Sequence, residues 1–177
     1  MPSVRTGQSK RVRIFECFLS EVPPNEDPKP GAETIFMSVD VFLDTNILVY
    51  AVTSDDREQA KRQRALEIIE TEDFAISAQV LQEFYVTVTR KLAEPLTPEQ
   101  ALAWIEELEV FPCVAIETSL VKNAIEISVR YQTSYWDGAI LAAAESIGVP
   151  RLYSEDLNHG QRYGSVEVLN PFRDIAD

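Results

Sequence analysis

The sequence predicts a three-layer α/β/α fold, a mainly parallel five-stranded sheet with helices on both faces. Two observations carry that prediction. From Met37 onward, short β-like apolar runs alternate with stretches of helical periodicity, and the first convincing strand stops abruptly at Asp44-Thr45-Asn46 where a helix takes over. Size agrees, because 177 residues suffice for one domain with a single core and are short for two.

Residues 1–36 stand apart as an N-terminal extension. Arg11-Val12-Arg13-Ile14-Phe15 could pair as a short strand, but Pro23, Pro24, Pro28 and Pro30, with Asn25 and Asp27, break regularity. Met37 directly precedes the first convincing strand, so a mis-assigned start and an expression remnant would each account for the extension. The domain proper is expected over 37–177. Strands are expected over 39–43, 74–77, 113–116, 151–154 and 166–169, each a short run rich in Val, Ile, Phe or Tyr. Helices are expected over 46–51, 57–70, 79–92, 98–108, 119–131 and 136–147. The helix at Pro98 has a defined start: Thr97 can cap, Pro98 suits the first turn and Gln100 can complete a capping box.

Composition narrows the function. With 45% apolar and 25% charged residues the chain can bury a core, so global disorder is excluded. No apolar stretch is long and uninterrupted enough to span a bilayer, and 1–36 lacks the apolar run of a signal peptide; a soluble, cytoplasmic protein with no membrane partner is expected. The net charge of −13 argues against broad nonspecific nucleic-acid binding, which rests on neutralising phosphates. It leaves room for a small basic patch, with Lys61, Arg62 and Arg64 on one helix and Arg90, Lys91, Arg130, Arg151 and Arg162 elsewhere. Cys17 and Cys113 belong to no CxxC pair, which leaves a disulfide framework or zinc site unsupported and points to a reducing compartment.

Several chemistries drop out. His159 is the only histidine, so a His-rich metal site is excluded and a Ser-His-Asp triad would depend on it alone. In Asn158-His159-Gly160-Gln161 it reads better as a loop or core-edge residue. No GxxxxGK[ST] or GxGxxG stretch exists to cradle a phosphate. An aspartyl-phosphate phosphatase would want a second acid two residues after its nucleophile, and here that position is Asn46.

Four acids in similar settings remain: Asp44 at a strand end, Glu83 early in a helix, Asp137 in Ser134-Tyr135-Trp136-Asp137, and Asp156 in Tyr153-Ser154-Glu155-Asp156-Leu157. The carboxyl edge of an open α/β sheet is where ligands and catalytic groups gather. Each acid also has an ordinary explanation. Asp44 alone would read as a turn or N-cap, and Glu83, beside the apolar stripe of Val80, Leu81, Phe84, Val88 and Leu92, as a solvated helical residue. Asp137 has capping-box spacing from Ser134 and would suit the helix dipole. Together the four suggest a divalent cation, since Mg²⁺ and Mn²⁺ prefer hard oxygen ligands and Mg²⁺ keeps several waters while taking one or two carboxylates directly. Ser154 could hold a bound water, and Glu155 would face away from Asp156 if the segment stays extended. Tyr131, Tyr135 and Trp136 could stack on bases, though aromatics beside a helix start more often belong to the core.

These residues resemble the PIN-domain ribonucleases, and within them the VapC-like toxins of type II toxin–antitoxin pairs. The likeness covers essentially all of 37–177. It rests on Leu43-Asp44-Thr45-Asn46, on Glu83, on Ser134-Tyr135-Trp136-Asp137, on Ser154-Glu155-Asp156-Leu157-Asn158-His159-Gly160 and on Leu169-Asn170-Pro171-Phe172, in that order and spacing. It implies about five parallel strands and an endoribonuclease that hydrolyses RNA phosphodiesters with Mg²⁺ or Mn²⁺. The catalytic quartet would be Asp44, Glu83, Asp137 and Asp156, supported by Asn46 and Ser154. Asp44 with Asp137 or Asp156 would hold metal, Glu83 would position or deprotonate a water, and RNA would approach along Lys61, Arg62, Arg64 or Arg90. A homodimer bound by a cognate antitoxin protein is implied too. Gly138 stands where relatives often carry Ala. Two rivals remain: a non-catalytic protein-binding module on the same fold, against which the intact quartet counts, and a DNA 5′-nuclease, which usually carries more acids and extra helices.

Overall fold

Val41-Phe42-Leu43 is apolar on both faces, as a central parallel strand must be when helices cover it above and below. It forms β1 (Val41–Leu43), and all three side chains are fully buried. The computed structural model describes residues 39–175; the expected extension over 1–36, with its strand-like residues 11–15, lies outside the described residues. After β1 come α1 (Thr45–Val52), a 3₁₀ turn at Asp56–Glu58, α2 (Gln59–Thr71), β2 (Phe74–Ser77), α3 (Ala78–Arg90), α4 (Pro98–Leu108), β3 (Cys113–Val114), α5 (Thr118–Tyr131), α6 (Tyr135–Ser146), β4 (Arg151–Tyr153), β5 (Arg162–Tyr163) and β6 (Val166–Leu169).

The strands lie in the order β3-β2-β1-β4-β6-β5. All pairings are parallel except the one between β5 and β6. The chain first steps outward from β1 through β2 to β3, then returns by α5 and α6 to place β4 on the other side of β1. The strand order therefore reverses between β1 and β4, and a crevice opens at their carboxyl ends. Register fixes what stands there: Leu43 pairs with Tyr153, and the Asp44 N–H donates to the Tyr153 carbonyl at 3.0 Å. Asp44 and Ser154 are thereby neighbours across 110 residues of chain.

Local signals account for the helices around this crevice. Thr97 and Gln100 form the expected capping box of α4, and Ser134 and Asp137 form one at the start of α6. From Gly138 to Ala144 every residue of α6 is buried, four of them alanine. Small side chains let α6 lie close against α5: a Cβ added at Gly138 would come within 2.5 Å of the Ala124 carbonyl oxygen. That contact explains glycine at a position where its helix propensity is a disadvantage. Phe84 of α3 meets Trp104 of α4 edge-on at 6.4 Å, and Phe42, Phe74, Ile76 and Leu152 fill the sheet interior. Each such buried side chain contributes roughly 1.5–3 kcal/mol.

The three-layer, mainly parallel expectation holds, with one addition and small shifts. A sixth strand, β5, runs antiparallel at the edge, joined to β6 through Gly164 (φ 62°) and Ser165. Its signal was a Gly-Ser pair between Tyr163 and Val166, which suits a two-residue hairpin turn. The first strand starts at Val41 rather than 39, the third is only Cys113–Val114, and Ser154 falls just past β4. Among the described residues, no helix is long and apolar enough to cross a membrane.

Candidate active site

Asp44 is both the N-cap that sequence reasoning allowed and a buried acid at the crevice. Its Oδ1 accepts the Thr45 N–H at 2.6 Å, and its Oδ2 accepts the Ser154 hydroxyl at 2.6 Å. Only 5% of the residue is exposed and Ser154 is fully buried. Burial lifts the Asp44 carboxyl from its ordinary 3.8 to about 7, against the lowering effect of those two hydrogen bonds. The negative charges of Asp156 and Glu83 raise it further. Near neutrality, then, this carboxyl sits at its titration point.

Asp156 follows β4 in a bend, its N–H bonded to Ser154 Oγ at 3.1 Å. Asn46, in the first turn of α1, lies between the two aspartates: its Nδ2 donates to Asp44 Oδ2 at 3.4 Å and to Asp156 Oδ2 at 3.3 Å. The remaining amide oxygen, Asn46 Oδ1, is buried with no hydrogen-bond partner among the described residues, as is the neighbouring Thr45 Oγ1. Buried orphan oxygens of this kind call for a partner that can receive their lone pairs.

The other half of the crevice comes from α3 and α6. Glu83 is half-buried and accepts a hydrogen bond at 2.8 Å from Gln79, one turn earlier on α3. The same Gln79 amide donates to the Trp136 carbonyl at 3.2 Å, which pins Glu83 to the first turn of α6. Asp137, also half-buried, accepts the Ser134 N–H at 3.2 Å while its own N–H donates to Ser134 Oγ at 3.1 Å. Capping therefore orients this carboxylate, as its spacing suggested.

The donor set suits a hard divalent cation. Two carboxylates share one amide group whose positive dipole end occupies the place between them, and an unpartnered oxygen is at hand. Among the described residues, no three His, Cys, Asp or Glu side chains are grouped closely enough to hold a metal by themselves. One or two direct carboxylates with waters is the Mg²⁺ preference, so Asp44 and Asp156, linked through Asn46, fit as its holders.

The proposed RNA contacts divide. Lys61 is hydrogen-bonded to Tyr50 and Glu155, and Arg64 pairs with Glu67 at 2.6 Å, whereas Arg62 and Arg90 are exposed. Arg90 lies seven residues beyond Glu83, about 10 Å along the helix axis. Glu155 points to Tyr50 and Lys61, not to the crevice. His159 Nδ1 accepts the Asn170 N–H at 3.0 Å, a loop-bracing role. Trp136 departs from the core placement expected of it and is 59% exposed, while Tyr131 packs edge-on against Tyr163. Two features escaped sequence reasoning. Gln79, a buried amide four residues before Glu83, had the helical spacing of a partner as its only signal; the Tyr50, Lys61 and Glu155 network had none.

Comparison with known proteins gives a family and a fold. The PIN domain family profile matches residues 41–164. No curated protein sequence matches the chain. Among solved structures, the chain is similar to Mycobacterium tuberculosis VapC20, described as a sarcin-ricin loop cleaving toxin, at 21% identity and TM-score 0.54 over 64% of this chain and 88% of that one. A toxin–antitoxin complex from Klebsiella pneumoniae gives 20% identity and TM-score 0.56 over 74% and 97%. FitAcB from Neisseria gonorrhoeae gives 18% and 0.51 over 75% and 99%.

Proposed function

This chain belongs to the PIN domain family, and on that premise we propose that it is a divalent-metal-dependent endoribonuclease, the toxin of a toxin–antitoxin pair. The observation that carries the reading is Asp44: a carboxyl buried at the reversal of strand order, held near its titration point, and coupled to Asp156 and Glu83. Keeping three acids in one crevice is costly without a cation.

Mg²⁺ or Mn²⁺, when bound, supplies charge neutralisation at the scissile phosphate and makes an attacking water more acidic. Asp44 and Asp156 would hold it, with Asn46 and Ser154 fixing their orientation. Glu83, steadied by Gln79, would position the water or take its proton, and Asp137, set by its capping box, would add a further carboxylate. Arg62 and Arg90 remain as exposed cations for the RNA backbone.

The toxin role is supported by the fold shared with VapC20 and with the Klebsiella pneumoniae complex, and a cognate antitoxin is the partner that goes with it. A homodimer is supported by exposed apolar side chains on α5 and at the start of α6: Ile125, Val129, Tyr135 and Trp136.

Cleavage of structured RNA, single-stranded RNA and single-stranded DNA, with Mg²⁺, Mn²⁺ or chelator, tests the reading. RNA alone should be cut, only with cation, and not by Asp44→Asn or Asp156→Asn. Cleavage of DNA in preference would favour a DNA nuclease. No cation-dependent cleavage of any substrate would leave a binding module.

A further inference from the structure

We propose that Tyr50, Lys61 and Glu155 form a clamp that positions Asp156 in the acidic crevice. The inference deepens the nuclease reading and rests on it. Three elements meet in this network: α1 supplies Tyr50, α2 supplies Lys61, and the loop after β4 supplies Glu155. Glu155 Oε1 accepts the Tyr50 hydroxyl at 2.5 Å, Glu155 Oε2 accepts Lys61 Nζ at 3.2 Å, and Lys61 Nζ also donates to the Tyr50 oxygen at 2.9 Å. The triangle is closed. The ammonium also sits 4.6 Å from the Tyr50 ring centroid, and that ring meets Phe172 edge-on at 4.9 Å.

Lys61 and Glu155 are each largely shielded, their side chains 20% and 24% exposed, so this is no ordinary surface pair. Both Glu155 oxygens are engaged, which removes Glu155 from the crevice although it adjoins Asp156. Asp156 itself is exposed, and among the described residues its carboxylate has one side-chain hydrogen bond, the 3.3 Å contact from Asn46. Its position is therefore dictated by the bent backbone of 154–157. Ser154 anchors one end of that bend through its bonds to Asp44, the Asp156 N–H and the Leu169 carbonyl. Glu155 anchors its middle. Because Tyr50 shares α1 with Asn46, and Asp44 caps α1, the clamp ties Asp156 to the helix that adjoins the rest of the pair. Tyr50, Lys61 and Glu155 are positioning residues, and Lys61 serves the site through Glu155 rather than through RNA.

Two readouts test this on the full chain, neither needing RNA. The first is amide exchange at Asp156 by NMR with chelator present. The second is Mn²⁺ affinity, read from the electron paramagnetic resonance signal of free Mn²⁺. Tyr50→Phe keeps the ring on Phe172 and removes only the hydroxyl, and Lys61→Met keeps the stem. Each should speed exchange at Asp156 several-fold while β1 amides keep their protection, and should weaken Mn²⁺ on the order of tenfold, the usual cost of losing an outer partner of a ligand. The double variant should be little worse than either single one, and Lys61→Arg should recover most of the affinity. Unchanged exchange at Asp156 in both single variants overturns the clamp. So does tighter Mn²⁺ binding in them coupled with loss in Glu155→Gln, which would make Glu155 a ligand. If Asp156→Asn leaves Mn²⁺ affinity intact, the metal-site reading fails, and the exchange data still judge the clamp by themselves.

Discussion

Without a divalent cation, the effect of Asp44→Asn on stability should change sign between about pH 3 and about pH 8. Burial, with the charges of Asp156 and Glu83 added, holds the folded carboxyl at about 7 against 3.8 in the unfolded chain. A group whose folded pKa is raised binds more protons folded than unfolded, so its stabilising contribution is full at low pH and lost as pH rises through 7. From about pH 4 to about pH 7 the loss runs near 1.4 kcal/mol per pH unit, on the order of 4 kcal/mol in all. Asparagine cannot ionise and escapes it. Its carbonyl oxygen can still accept the Thr45 N–H, but its NH₂ then meets the Ser154 hydroxyl and the Asn46 amide, both of which donated to the oxygen it replaces, a mismatch of about 1 kcal/mol. The variant should thus be less stable than wild type by about 1 kcal/mol near pH 3, below both pKa values, and more stable by about 3 kcal/mol near pH 8, by those same principles. Urea unfolding of both proteins in chelator across this range measures the difference, with constant m values securing the comparison. Parallel stability curves would refute the argument, because they would mean Asp44 is ionised in the folded protein throughout.

Saturating Mn²⁺, at a hundredfold excess over its dissociation constant, should add about 2.7 kcal/mol to wild-type stability and much less to Asp44→Asn; thermal melts showing a full increment in the variant would move the metal elsewhere. Mn²⁺ uptake near pH 6 should also release a proton from Asp44, so calorimetric heats should depend on buffer ionisation enthalpy below pH 7 and lose that dependence above about pH 8. Gly138→Ala, despite better helix propensity, should destabilise by about 1–3 kcal/mol because the new methyl meets the backbone carbonyl of Ala124; equal or greater stability in urea would show that α5 can shift at no cost. Gln79→Leu should cost about 1–3 kcal/mol by removing the amide that bridges the Glu83 carboxylate and the Trp136 carbonyl, and should reduce kcat for RNA with KM little changed, since it frees Glu83; an unchanged kcat would remove Gln79 from the site.

Much of this molecule could be read in order along the chain. An apolar run ending in Asp44-Thr45-Asn46 defines a buried strand feeding a helix, Thr97-Pro98 and Ser134-Asp137 define helix starts, and alternation of the two periodicities defines a parallel sheet between helices. These are local effects, settled by sterics and hydrogen bonding within a few residues, so the sequence by itself determined them. The direction of each acid was another matter. Sequence chose Asp156 over Glu155 only on the premise that the segment stays extended, and offered Lys61 and Arg64 as free cations. Only the register of Leu43 against Tyr153 brought Asp44 to Ser154, and only packing of α1, α2 and the loop after β4 turned Glu155 toward Tyr50 and Lys61. Those partners lie 94 to 110 residues apart in the chain. Which of two adjacent carboxylates faces the crevice depends on where such distant groups come to rest, and that is fixed by strand register and helix packing rather than by the preferences of the residues themselves.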